Sequence, residues 1–121
     1  MPKKVLICDD ERCVLEPVTY VVREEGYTVL TAEDGEEALR LARTELPDLM
    51  LLDISMPKKN GNEVCRELKS NPATRGIYIL ALTARAQEDE KQESLQCGFD
   101  KYETKPLRPS RLRKTLHELL D

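Results

Sequence analysis

Five polar residues stand in this chain where stretches that read as strands end. Asp9 and Asp10 follow Val5-Leu6-Ile7-Cys8, and Asp53 follows Leu49-Met50-Leu51-Leu52. Thr83 ends the run from Ile77 to Leu82, and Lys105 follows the stretch Asp100 to Thr104. Short continuous apolar runs of this kind read as strands buried on both faces, as in a parallel sheet. In an open parallel sheet, ligands bind beyond the carboxyl ends of the strands, where the strand order reverses. With the order 2-1-3-4-5, common among such sheets, the first and third strands flank that reversal. The three acids then converge on one crevice, with a hydroxyl and an ammonium beside them. Three carboxylates so placed repel one another, and burial raises the penalty. A divalent cation removes the conflict, and oxygen-only ligands with room for water suit Mg²⁺ or Mn²⁺.

Each residue alone has an ordinary explanation. Asp10 fits as the N-cap of a following helix; Asp53 and Lys105 fit as solvated surface charges, and Thr83 as strand-end polarity. The joint placement at four strand ends is what argues for a site.

The elements that must position these residues alternate strand and helix five times. After the first strand, Val14, Val18, Val21 and Val22 repeat at helical spacing with Leu15 beside them, with Pro17 as a kink or first-turn residue and Gly26 as the stop. Tyr27 to Ala32 is β-rich. Asp34 with Glu36 and Glu37 reads as an N-cap and acidic first turn before the stripe Ala38, Leu39, Leu41, Ala42, and Pro47 closes that unit. A loop with Pro57 and Gly61 leads to a third helix with Val64, Cys65 and Leu68 inward. A weak fourth helix is expected over about 87–96, with Leu95 its only strong apolar residue. Asp100 to Thr104 is a poor strand by propensity and therefore an edge. Ser110 is the expected cap of a last helix with the stripe Leu112, Leu116, Leu119, Leu120. This (βα)₅ order calls for a three-layer α/β fold, a parallel sheet with helices on both faces.

Composition agrees with one globular domain over residues 1–121. The 121 residues are 40% hydrophobic and 35% charged, enough for a core without disulfides or a structural metal. The net charge of −4 argues against a surface that grips nucleic acid. Of that −4, the three site acids and Lys105 account for −2. No apolar run approaches a membrane span, and the four apolar residues after Met1-Pro2-Lys3-Lys4 do not read as a signal peptide. Cys8, Cys13, Cys65 and Cys97 form no CxxC pair, and His117 is the only histidine. Reduced thiols and a cytoplasmic location are expected, with Cys8 a small buried hydrophobe.

Four segments resemble the receiver domain of two-component response regulators (CheY-like, flavodoxin-like fold). They are Asp9-Asp10-Glu11, Asp53-Ile54-Ser55-Met56-Pro57 with Gly61, Leu82-Thr83-Ala84, and the run from Cys97-Gly98-Phe99-Asp100 through Lys101-Tyr102 to Lys105-Pro106. Each is weak alone; their order and spacing together are specific, and the resemblance covers essentially the whole chain. It also supplies the strand order 2-1-3-4-5.

The resemblance implies Mg²⁺-dependent phosphoryl transfer onto Asp53 from a phosphohistidine of a histidine kinase or phosphotransfer protein. Asp10, Asp53 and the backbone carbonyl of Ser55 would bind the metal directly, with Asp9 reached mostly through water. Lys105 would pair with the phosphoryl oxygens and Thr83 would donate to one of them. Tyr102 would be the switch aromatic, turning inward as Thr83 moves, and so control a protein target or an output domain. Such a chain is no conventional enzyme; it catalyses its own phosphorylation and dephosphorylation. Pro106 matches a position where the family's Lys–Pro bond is often cis, a geometry proline permits.

Some positions depart from the pattern. Glu103 replaces a large apolar residue, which suggests a more exposed fifth strand, while Phe99 and Cys97 replace small alanines. Lys58-Lys59-Asn60 makes the loop after Asp53 basic. Ser55 and Arg85 occupy variable positions that influence the lifetime of the aspartyl phosphate. Residues 87–100 carry five acids and one base, and residues 101–121 six bases and three acids. Family members often dimerise through the face formed by the fourth helix, fifth strand and last helix. Exposed pairs contribute little, however, and two solvated faces explain the pattern as well.

Other classes fit less well. An aspartyl-nucleophile phosphatase wants a second Asp where Ser55 stands, and a flavin-binding protein wants a Ser/Thr/Gly-rich loop where Asp9-Asp10-Glu11 would repel phosphate. A P-loop NTPase wants a GxxxxGK[ST] that is absent. A degenerate receiver acting as a constitutive binding module is opposed by intact Asp10, Asp53, Thr83 and Lys105.

Overall fold

A computed structural model describes residues 2–83, 92 and 96–120. Five parallel strands, β1 (Lys4–Cys8), β2 (Thr28–Ala32), β3 (Leu49–Asp53), β4 (Tyr78–Thr83) and β5 (Lys101–Thr104), form one sheet in the order β2-β1-β3-β4-β5. Helices α1 (Arg12–Glu24), α2 (Gly35–Glu45), α3 (Gly61–Lys69) and a last helix (Pro109–Leu120) cover its faces. Most of the helix expected over 87–96, the Arg85 position and most of the acidic run lie outside the described residues.

Strand alternation divides the core into two layers. Leu6, Cys8, Met50, Leu52, Ile79 and Ala81 face α2 and α3, where Ala38, Leu39, Ala42, Val64, Cys65 and Leu68 meet them. Val5, Ile7, Leu49, Leu51, Leu80 and Leu82 face α1 and the last helix, where Val18, Val22, Leu112 and Leu116 meet them. β1 and β3 are thus apolar on both sides, as their continuous runs require.

Local signals set most boundaries as the sequence predicts. Asp34 caps α2 by accepting from the Glu37 N–H at 2.8 Å. Asn60 and Glu63, not read as a cap from the sequence, form a reciprocal capping box on α3. Gly26, at φ +90°, ends α1 through its N–H to the Arg23 carbonyl. Pro17 lies inside α1 on its exposed side.

Asp10 does not cap α1, where the N-cap is Glu11 with no side-chain bond, so the ordinary explanation for this acid falls away. Two expectations are corrected. Ser110 does not cap the last helix, because Pro109, whose φ is preset for the first helical position, starts it one residue earlier. Glu103 does not leave β5 exposed. Its side chain is covered, only 8% of the residue being accessible, because Arg111 grips both carboxylate oxygens at 3.0 and 2.9 Å. The edge position of β5 is as expected. Phe99 and Cys97 are buried in the α2/α3 layer, and Arg66 Nη2 donates to Cys97 Sγ at 3.2 Å.

The basic runs are largely answered within the chain. Lys58 meets Asp34 at 3.6 Å, Lys59 meets Glu67 at 2.7 Å, and Lys101 meets Glu118 at 3.5 Å. Arg113 and His117 both approach Glu25, each at 3.5 Å. All four cysteines are free, with Cys13 alone exposed. No described helix is long and apolar enough to cross a membrane.

Candidate functional site

The site lies at the carboxyl ends of β1 and β3, the two strands that flank the reversal of strand order. β1 continues one residue past its end, where the Asp9 N–H meets the Ala32 carbonyl. Asp9 Oδ1 then accepts from the Glu11 N–H at 2.9 Å, a turn that folds the carboxylate inward and leaves Asp10 exposed. Asp53 is the last residue of β3, and its Oδ1 accepts from the Ser55 N–H at 3.1 Å. Both carboxylates are buried, Asp9 being 1% and Asp53 3% exposed.

Lys105 enters from the far edge of the sheet. Its N–H extends the β4–β5 ladder to the Thr83 carbonyl at 2.7 Å, and the Lys105–Pro106 peptide bond is cis. The ammonium lies 2.8 Å from Asp9 Oδ2 and 3.1 Å from Asp53 Oδ2. Thr83, buried, ends β4 opposite Thr104, while Asp53 stands opposite Leu82. Tyr102 is half-buried on β5 and packs against the α2/α3 layer.

The charges do not balance. Ligating oxygens of Asp9, Asp10 and Asp53 lie within 4.8 Å of one another, against the one ammonium of Lys105 among the described residues. Burial, then the charge of Asp9, raises the Asp53 pKa against the opposing pull of Lys105 and the Ser55 N–H. Burial lowers that of Lys105, but the two carboxylates together outweigh it and hold the lysine above its ordinary value. Asp9 Oδ2 is buried and meets the Lys105 ammonium at 2.8 Å. Two buried carboxylates and a third at the surface, their oxygens this close together, make a donor set that fits a hard divalent cation retaining water.

All five strand-end residues of the sequence prediction are therefore at one end of the sheet. A family model for the response regulator receiver domain matches residues 5–117. The chain belongs to this family, as the receiver domain of a two-component response regulator. The alkaline phosphatase synthesis transcriptional regulatory protein PhoP of Bacillus subtilis is 42% identical over 120 residues, 99% of this chain and 49% of that protein. The chain spans about half the length of the curated relatives it matches. Among solved structures, the receiver domain superposes on the chemotaxis response regulator CheY4 of Vibrio cholerae with a TM-score of 0.92. The identity is 32%, covering 99% of this chain and 100% of that one. It superposes on the receiver domain of a Pseudomonas aeruginosa sensor histidine kinase with a TM-score of 0.90 and 28% identity, covering 98% of each chain. That protein holds a magnesium ion in its active-site cleft.

Sequence reasoning missed how the receiver holds the loop after Asp53. Gly35, the first residue of α2, lies so close to Lys59 that a β-carbon there would stand 2.0 Å from the Lys59 carbonyl oxygen. A glycine inside a helix that already has its cap was the available signal.

Proposed function

We propose that this receiver accepts a phosphoryl group on Asp53 from the phosphohistidine of a sensor histidine kinase or phosphotransfer protein. The observation that carries the reading is the Lys105 ammonium set between Asp9 and Asp53 at the carboxyl ends of β1 and β3. An Asp53 oxygen attacks phosphorus, the P–N bond breaks, and the electron pair stays on the imidazole nitrogen. A carboxylate is a weak nucleophile for an anionic group, so charge neutralisation and positioning must supply the catalysis. Asp10, Asp53 and the Ser55 carbonyl would hold Mg²⁺, with Asp9 acting mostly through water. Bound there, Mg²⁺ supplies positive charge against the phosphoryl oxygens. Lys105 leaves its carboxylate partners to pair with one phosphoryl oxygen, and the Thr83 hydroxyl donates to another. Hydrolysis at the same site returns Asp53 to its carboxylate.

Thr83 and Tyr102 form the switch. As Thr83 is drawn towards the phosphoryl group, Tyr102 turns into the space it leaves and changes the β5 surface. Residues 1–121 act as one cytoplasmic receiver, and the length of the relatives supports an output domain as the recipient of that change. Incubation with acetyl phosphate and Mg²⁺ tests the reading by intact mass. The wild type gains one phosphoryl group, and chelator or Asp53→Ala abolishes the gain. Undiminished labelling of Asp53→Ala sinks the assignment.

A further inference from the structure

Of the two flanks of the crevice, the loop from Ile54 to Asn60 carries the Ser55 carbonyl, and its shape is held from outside. The Lys59 N–H donates to the Pro57 carbonyl at 2.8 Å across Lys58, whose φ is +68°. That is a tight three-residue turn in a conformation that persists only where the surroundings impose it.

The surroundings are the start of α2. The Gly35 N–H donates to the same Pro57 carbonyl at 3.3 Å, and Asp34 Oδ2 lies 3.6 Å from Lys58 Nζ. A β-carbon on Gly35 would stand 2.0 Å from Lys59 O, 2.6 Å from Lys59 Cβ and 2.7 Å from Lys59 C. Two of those atoms are backbone, so the loop itself would have to move by more than an ångström. On its other side the loop is fixed as firmly. Met56 is buried in the α2/α3 layer, and the Gly61 N–H donates to the Ile54 carbonyl at 2.8 Å. Between these fixed points, a displacement at Lys59 has few outlets other than the Ser55–Pro57 segment.

We propose that Gly35 is a positioning residue: by lacking a side chain it lets α2 press the 57–59 turn into the shape that aims the Ser55 carbonyl at the metal position beside Asp53. The inference rests on the Mg²⁺ reading above and extends the site to a helix that contributes no ligand. Groups that orient ligands from outside typically change metal affinity by about 10–100-fold when altered.

The test compares the wild type, Gly35→Ala and Gly76→Ala, Gly76 having nothing within 4 Å of its would-be β-carbon. Mg²⁺ affinity is read by calorimetry, and amide hydrogen exchange at Gly35, Lys59 and Gly61 with and without Mg²⁺. Gly35→Ala is expected to bind Mg²⁺ at least about tenfold more weakly and, without metal, to exchange faster at Lys59 and Gly61. Gly76→Ala should match the wild type in both. In the wild type, Mg²⁺ should slow exchange at Gly35 and Lys59, a readout that stands even if Gly35→Ala does not fold. Mg²⁺ binding by Gly35→Ala at wild-type affinity, with only a lower unfolding midpoint, makes Gly35 merely structural and overturns the proposal. So does wild-type binding that leaves the Gly35 and Lys59 amides unchanged. A wild type that does not bind Mg²⁺ overturns the metal reading itself, a result distinct from these two.

Discussion

Replacing Asp53 with asparagine removes one negative charge from a cluster that has too many, and the metal-free protein should become more stable. The ligating oxygens of Asp9, Asp10 and Asp53 lie within 4.8 Å of one another. At an effective dielectric of about 20, each such pair repels by roughly 3.5 kcal/mol, less for the exposed Asp10. Lys105, 3.1 Å from Asp53, attracts by roughly 5 kcal/mol on the same scale. These terms nearly cancel and leave the burial of a charged carboxylate as the net penalty, in line with the upward shift of Asp53. Asparagine keeps the acceptor for the Ser55 N–H but turns an amide towards Lys105, which takes back part of the gain. A stabilisation of about 1–2 kcal/mol at neutral pH is expected.

The pH dependence has a definite sign. A carboxyl with a raised folded pKa keeps its proton longer in the folded than in the unfolded chain. Its stabilising contribution is full below its ordinary value of about 3.9 and is lost as pH rises through the folded pKa. The advantage of Asp53→Asn should therefore be largest near neutral pH and shrink as pH falls towards 4. Urea unfolding in chelator from pH 4 to 8 measures it. A variant less stable than the wild type at pH 7, or a difference independent of pH, refutes the electrostatic account.

Lys105→Met leaves two buried carboxylates without their cation and should lower metal-free stability by on the order of 3 kcal/mol, with part of the loss restored by millimolar Mg²⁺; equilibrium unfolding with and without the metal reads both effects. Native protein should titrate one thiol rapidly with a chromogenic disulfide, at Cys13; Cys8 and Cys97 are buried and burial pushes the Cys65 thiol up to about 12, so more than one fast equivalent contradicts the packing. Arg111→Ala strands the covered Glu103 carboxylate against Lys101, 3.8 Å away, and should lower the thermal midpoint, whereas adding Glu103→Leu should recover most of it.

The sequence carried the fold because each strand of the sheet centre is apolar on both faces, and the turns carry residues with one clear use: Asp34 and Gly26. It carried the candidate site because Asp9, Asp10, Asp53, Thr83 and Lys105 all fall where strands must end. It misled where a residue's role depends on a partner distant in sequence. Glu103 reads as an exposed charge until Arg111, eight residues on, is folded against it. Ser110 reads as a cap until Pro109 starts the helix. Gly35 and Lys59 are 24 positions apart, and only the packing of α2 on the loop after Asp53 makes them neighbours.

The most direct test is to locate the phosphoryl group itself. After reaction with acetyl phosphate and Mg²⁺, borohydride reduces an aspartyl phosphate to homoserine, and peptide mass mapping finds the altered residue. Homoserine at position 53, present only with phosphodonor and Mg²⁺, is the predicted result. Modification at another residue, or none under conditions where the protein binds Mg²⁺, would contradict the assignment of Asp53 as the phosphoacceptor.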